Sequence, residues 1–111
     1  MSPTLKSLRA LSDATRLRIV ALLERDELSV NELQEITRMG QSRISTHLGL
    51  LADCELVKAR REGKRTFYKL NPDAAGTTAE FIQLAIHGAK ELGDHASDQI
   101  NLKRILNRRR E

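Results

Sequence analysis

Ser29-Val30-Asn31-Glu32-Leu33-Gln34-Glu35-Ile36-Thr37-Arg38-Met39-Gly40-Gln41-Ser42-Arg43-Ile44-Ser45-Thr46-His47-Leu48 is the stretch on which the fold turns. Ser29 with Glu32 has the capping-box form, in which the serine caps a helix and the glutamate reaches back to its first amide. Leu33 and Ile36 continue that short helix. Arg38-Met39-Gly40 reads as a turn, with Gly40 as the residue free to take the left-handed backbone that ends a helix. Ser42 opens a second helix, whose Ile44, Leu48 and Leu51, with Leu50, face inward. Two short helices joined by a three-residue turn that carries a glycine make a helix-turn-helix.

Downstream, Leu56-Val57-Lys58-Ala59-Arg60-Arg61 reads as a strand entered from a helix end. Glu62-Gly63-Lys64 is a turn, and Arg65-Thr66-Phe67-Tyr68-Lys69-Leu70 is a second strand rich in β-favouring residues. A basic hairpin directly after such a helix pair is a wing. Asn71-Pro72 closes it, because the residue before proline is pushed to extended geometry. Residues 73–78 form a linker. Phe81, Leu84, Ala85, Gly88 and Leu92, widened by Ile82 and Ile86, then mark a helical stripe. Gly93 interrupts it, and Ile100, Leu102, Ile105 and Leu106 predict a final helix running into Arg108-Arg109-Arg110.

Upstream, Pro3 suits a first helical turn with Ser2 as its cap, and Leu5, Leu8 and Leu11 follow at helical spacing. Asp13 can cap the next helix. Leu17, Ile19, Val20, Leu22 and Leu23 give that helix a broad apolar face, with Arg16 and Arg18 pointing elsewhere. The expected fold is mainly α with a small β-hairpin, a winged helix-turn-helix. It forms one domain over residues 1–111, with a core at about 5–70 and C-terminal dimerisation helices at about 77–111.

Composition narrows the partners. The 111 residues carry a formal charge of +4, and only Phe67, Tyr68 and Phe81 are aromatic, so the core must be aliphatic. The basic excess is placed rather than spread: between Arg38 and Arg65, seven cations face three carboxylates. That stretch attracts polyanions. A short chain buries a modest share of its surface, so an extra apolar helix finds its cover in a second subunit. Leu5–Leu11 and the Phe81–Leu106 region are the expected homodimer contacts. Cys54 is the only cysteine, which excludes an intramolecular disulfide and points to the cytoplasm. Met1 to Leu11 has no leader pattern, and no segment approaches the ~20 apolar residues of a membrane span.

Gln41, Ser42, Arg43, Ser45, Thr46 and His47 crowd the N-terminal end of the second helix, opposite the anchoring Ile44 and Leu48. A recognition helix needs that arrangement, because its first turns enter the major groove of double-stranded DNA and its N-terminus faces phosphate. Arg43 can pair with guanine acceptors and Gln41 with adenine. The plain alternative is a solvated polar face. In the wing, Arg60, Arg61, Lys64 and Arg65 surround a glycine turn that can lie along the backbone or reach a minor groove; the alternative is a hairpin charged for solubility.

Metal ligands on one helix need spacings of three or four. His87 with Glu91, Glu91 with His95, and Asp94 with Asp98 have that spacing, so a metal sensor with its site near His87 and His95 is one rival reading. Cys54 reads as a small buried hydrophobe, with a redox switch as its alternative. No nucleophile–base pair, phosphate-cradling glycine loop or paired-carboxylate motif occurs, so no residues stand behind an enzyme and no cofactor is expected.

The chain resembles ArsR/SmtB-type winged-helix repressors. Leu5 through Leu11-Ser12-Asp13-Ala14-Thr15-Arg16-Leu17-Arg18-Ile19 resembles their opening signature, and Glu27–Leu33 their next helix. Gln41–Leu48 through Leu51 resembles their recognition helix, and Arg61–Arg65 through Phe67-Tyr68 their wing. The resemblance implies a homodimer joined by its first and last helices, and a repressor that leaves operator DNA when an effector binds. Arsenic- and cadmium-sensing members carry cysteines where this chain has Ser29 and Asn31. The zinc pattern places a second histidine where this chain has Asp98. The resemblance therefore points to an effector other than a metal. The stretch ending in Arg108-Arg109-Arg110-Glu111 also resembles the regulatory segment ahead of S-adenosylmethionine-dependent methyltransferase domains. A stand-alone relative of that type and a piece of a longer chain both fit, and a winged-helix module for protein contacts, for example regulating a methyltransferase, is the second rival reading.

Overall fold

A computed structural model describes residues 2–110; Met1 and Glu111, at the ends of two stretches read above, lie outside the described residues. Helix α1 spans Pro3–Leu11, and Ser2 caps it by accepting the Leu5 amide at 3.1 Å. Helix α2, Ala14–Arg25, is capped by Asp13, whose Oδ1 accepts the Arg16 amide at 3.0 Å. Strand β1 is Leu28–Ser29 and helix α3 is Val30–Thr37. The expected capping box is complete: Ser29 Oγ accepts the Glu32 amide at 3.1 Å, and Glu32 Oε1 accepts the Ser29 amide at 2.9 Å. Helix α4 is Gln41–Asp53, strands β2 and β3 are Val57–Glu62 and Arg65–Leu70, and helices α5 and α6 are Gly76–Ala89 and His95–Arg108.

The wing is an antiparallel ladder from Val57 opposite Leu70 to Glu62 opposite Arg65. The turn between them needs a positive φ, which Gly63 supplies at 59°. The hairpin gains a third strand that sequence reading did not anticipate: β1 pairs with β3, Leu28 opposite Tyr68 and Ser29 opposite Phe67. The sheet order is β1-β3-β2. Asn71 closes the wing by donating its backbone amide to Leu56 O and its side-chain amide to Glu55 O.

Ile19, Leu22, Leu33, Ile36, Ile44, Leu48, Leu51 and Leu56 form the buried aliphatic centre, to which Phe81, Ile82, Ala85 and Ile86 of α5 are added. The turn before α4 is built differently from expectation. Arg38, at φ 61° and ψ 28°, takes the left-handed position and donates its amide to Gln34 O at 2.7 Å. Gly40 has φ −71° and serves as the N-cap of α4.

The last helix forms as expected and packs on its own chain along one side, leaving Ile100 exposed on the other. Helix α6 lies against α2 and α3 of its own chain, where Leu102 and Ile105 are buried, so the inward side of residues 95–108 is already covered. The large apolar side chains left exposed on α1 and α5 are Leu5, Leu8 and Leu84.

Candidate nucleic-acid interface

Helix α4 is held along one side and at its C-terminal end, where Lys6 Nζ donates to Asp53 O at 3.2 Å. Ile44, Leu48 and Leu51 are fully buried, which holds the opposite face outward. Gln41, Ser42, Arg43, Ser45 and Thr46 are exposed on that face. Thr46 Oγ1 donates to Ser42 O at 2.9 Å, keeping its lone pairs available. The Arg43 side chain makes no hydrogen bond or ion pair with another described residue. The N-cap Gly40 offers no side-chain acceptor, so the first-turn amides of α4 remain open to an anion.

His47 is set apart from the other five. It is half-buried, and its Nδ1 accepts from Arg16 Nη1 at 2.9 Å. Burial lowers its pKa below the usual 6.5; the positive Arg16 and Arg43 act in the same direction, against Asp13. Arg16 also donates to Ala10 O and lies 3.9 Å from Asp13. This arginine therefore ties the end of α1 and the start of α2 to the recognition helix. Sequence reading missed that role, because Arg16 and His47 are 31 positions apart and nothing local links them.

The four wing cations divide. The side chains of Lys64 and Arg65 are exposed and make no hydrogen bond or ion pair with described residues, and that of Arg61 makes one weak contact, donating to Gly63 O at 3.3 Å. Arg60 is held back at the base of the wing. Its Nη2 donates to Glu27 Oε1 at 2.6 Å, its Nη1 reaches Glu62 at 3.1 Å, and its guanidinium carbon lies 4.8 Å from the Phe67 ring centre. The Glu27 bond, and then the Glu62 bond, raise its pKa, while the same bond to Arg60 lowers that of Glu27.

The proposed histidine cluster is not assembled. Helix α5 ends at Ala89 and α6 begins at His95, so His87, Glu91 and His95 do not share one helix and their spacing has no helical meaning. Asp98 is buried, with both oxygens occupied by Arg18 at 2.8 Å. Among the described residues, no three His, Cys, Asp or Glu side chains gather as a metal would require. Cys54 is half-buried at the end of α4, and its thiol donates to Lys6 O at 3.6 Å.

A helix-turn-helix whose second helix presents a polar, uncapped N-terminus, followed by a cationic wing, defines a winged helix-turn-helix protein. Residues 13–59 match the family described as "Bacterial regulatory protein, arsR family". The chain is 40% identical over 82 residues to a probable mercury resistance operon repressor from Streptomyces lividans, covering 74% of this chain and 63% of that protein. It is 39% identical over 75 residues to the transcriptional activator HlyU of Vibrio cholerae serotype O1, covering 68% of this chain and 69% of that one. Its fold matches the homodimeric winged helix-turn-helix DNA-binding domain of a possible ArsR-family transcriptional regulator from Mycobacterium bovis. That match has a TM-score of 0.66 and 30% identity, covering 84% of this chain and 83% of that domain. The chain belongs to the ArsR family of bacterial regulatory proteins. It spans under two thirds of the length of the mercury-resistance relative.

Proposed function

We propose that this chain is a homodimeric, sequence-specific repressor of transcription, acting in the cytoplasm and carrying out no catalysis of its own. Each protomer lays α4 in the major groove of one half of an inverted repeat, the two halves about one DNA turn apart. Gln41, Ser42, Arg43, Ser45 and Thr46 face the bases, His47 sits at the edge of that surface, and Arg61, Lys64 and Arg65 meet the backbone. Arg60 supports the wing from behind. Residues 5–70 form the DNA-binding core, and the apolar stripe of Leu5, Leu8 and Leu84 joins two copies through α1 and α5.

The observation that carries this reading is the contrast on one surface between unpaired Arg43, Lys64 and Arg65 and the uncapped start of α4, with none of them engaged inside the chain. The names of the relatives, a repressor and a DNA-binding homodimer among them, support the same reading. An effector other than a metal fits the residues, since Ser29 caps α3 and Asp98 is committed to Arg18.

The test is selection from random duplex DNA by the purified protein at a stated salt concentration. Enrichment of a two-fold symmetric motif is the expected result. Retention without enrichment would mean backbone attraction alone and would give the lead to a module for protein contacts.

A further inference from the structure

The surface beside the wing carries a dense acidic run: Asp26, Glu27, Glu32 and Glu35 lie within ten residues, just before the recognition helix. Left bare, such a patch would repel a DNA backbone passing over the wing, since like charges act over a Debye length of about 10 Å at 0.1 M salt. Helix α6 covers it. Arg109 Nε donates to Glu32 Oε2 at 2.8 Å, its Nη2 donates to Glu27 O at 3.0 Å, and its Nη1 lies 3.5 Å from Asp26. Arg108 Nη2 donates to Glu35 Oε1 at 2.9 Å. Among the described residues, the ion-pair partners of Asp26, Glu32 and Glu35 are Arg108, the last residue of α6, and Arg109, its C-cap. Arg65 of the wing lines the same cleft as Glu32, Glu35, Arg108 and Arg109, so this neutralised patch borders a residue assigned to the DNA backbone.

The contact also holds shape. Glu32 shares its carboxylate between Arg109 and the Ser29 amide, and Ser29 is paired with Phe67 of the wing. One carboxylate thus joins the end of α6 to the start of α3 and, one residue away, to the sheet. Asn101 Nδ2 adds a bond to Ile36 O at 3.2 Å farther along.

We propose that α6 belongs to the DNA-binding machinery without touching DNA: Arg108 and Arg109 are positioning residues that neutralise the acidic patch and brace α3 against the wing. The proposal rests on the DNA-binding reading above. Its test compares the unaltered protein, R108A/R109A, and R108A/R109A/E32Q/E35Q on one selected duplex over a range of salt. Glutamine at position 32 keeps the capping box, which accepts either residue. R108A/R109A should bind about tenfold more weakly at about 0.1 M salt, and the fourfold variant should recover to within about twofold, with an unchanged log–log salt slope. Undiminished binding by R108A/R109A would overturn the proposal. So would a fourfold variant that stays weak with its slope reduced by about 0.9 per arginine, the signature of lost phosphate contacts.

Amide exchange without DNA separates the brace from the DNA-binding role. Residues 30–37 should exchange faster in R108A/R109A than in the unaltered protein; equal rates would overturn the brace on their own. An unaltered protein that selects no duplex would instead overturn the DNA-binding reading, and this proposal's DNA role with it.

Discussion

Arg18 and Asp98, 80 positions apart, meet in a two-pronged ion pair with both hydrogen bonds at 2.8 Å. Their side chains are 10% and 4% exposed, and Asp94 stands 3.5 Å from the same guanidinium. The hydrogen bond to Asp98 holds the Arg18 pKa above its ordinary value against the opposing effect of burial. Removing one partner of a buried pair leaves a charge without compensation. Asp98→Ala should therefore destabilise the chain by about 3 kcal/mol, the low end for such a break because Asp94 remains. Urea denaturation measures it, and a loss below about 0.5 kcal/mol, the size of an ordinary surface change, would contradict it.

Three arginines should separate on DNA. Arg43→Ala should cost about 1–3 kcal/mol at the preferred site and relax base preference at one position. Arg65→Ala should weaken all duplexes alike and reduce the salt slope by about 0.9. Arg60→Ala should leave the slope unchanged, since its guanidinium is already held by Glu27 and Glu62. Titrations across salt with matched and scrambled duplexes read all three. Equal, sequence-blind losses for Arg43→Ala and Arg65→Ala would remove base reading from Arg43.

Leu84 is 60% exposed on α5, and Leu5 and Leu8 are 51% and 47% exposed on neighbouring α1. Leu84→Glu places a charge in the middle of the proposed joint between copies. Analytical ultracentrifugation should find a folded monomer, and affinity for a two-fold site should fall more than affinity for a half-site. A variant that still sediments as a dimer would move the joint elsewhere.

His47 makes the chain sensitive to mild acid. Its folded pKa lies below the 6.5 of the free side chain, so the unfolded chain takes up the proton first as pH falls. Stability is unaffected by this group above that value and declines as pH drops through the interval down to the folded pKa. The imidazole should titrate below 6.5 by NMR, and His47→Gln should lose less stability than the unaltered chain between about pH 7.5 and about pH 5.5. A midpoint above 6.5 would contradict the neutral ring that accepts from Arg16.

Arg38 sits in the left-handed region with a full side chain, which costs about 1 kcal/mol relative to glycine. Arg38→Gly should leave thermal stability equal or raise it, whereas Arg38→Val should lower it, β-branching being poorly tolerated there. Calorimetry distinguishes them, and a large loss on Arg38→Gly would mean that its side chain stabilises the fold.

What could be read from the sequence was what adjacent residues decide. The caps at Ser2, Asp13 and Ser29 are local hydrogen bonds over three residues, and the apolar periodicity of α2, α4 and α5 is local as well. Strand β1 escaped because two residues cannot display an alternation. The turn misled because glycine is the usual left-handed residue, yet the chain placed Arg38 there and used Gly40 to start α4. The candidate interface was legible as a set of residue types. The division within it was not, because Arg60 is withdrawn by Glu27 and His47 by Arg16, partners 33 and 31 positions away. The docking of α6 was hidden for the same reason: Leu102 and Ile105 are buried where it meets α2 and α3, while Ile100 of the same stripe stays exposed.

Strand β1 has a mechanical consequence. Where it flanks β3 at Phe67 and Tyr68, the hairpin has a neighbour on both sides of its central strand; past that line, only Arg61 with Thr66 and Glu62 with Arg65 continue as a two-stranded ribbon. At about 3.4 Å per residue, the unsupported part is a cantilever roughly 7–10 Å long. A stub of that length sweeps its cations through a small arc and cannot stretch to follow a displaced backbone. In a two-fold complex, a base pair inserted between half-sites must therefore be absorbed by twisting the DNA or by yielding at the joint between protomers, and the tolerance of the protein for altered spacing becomes a gauge of how stiff that joint is.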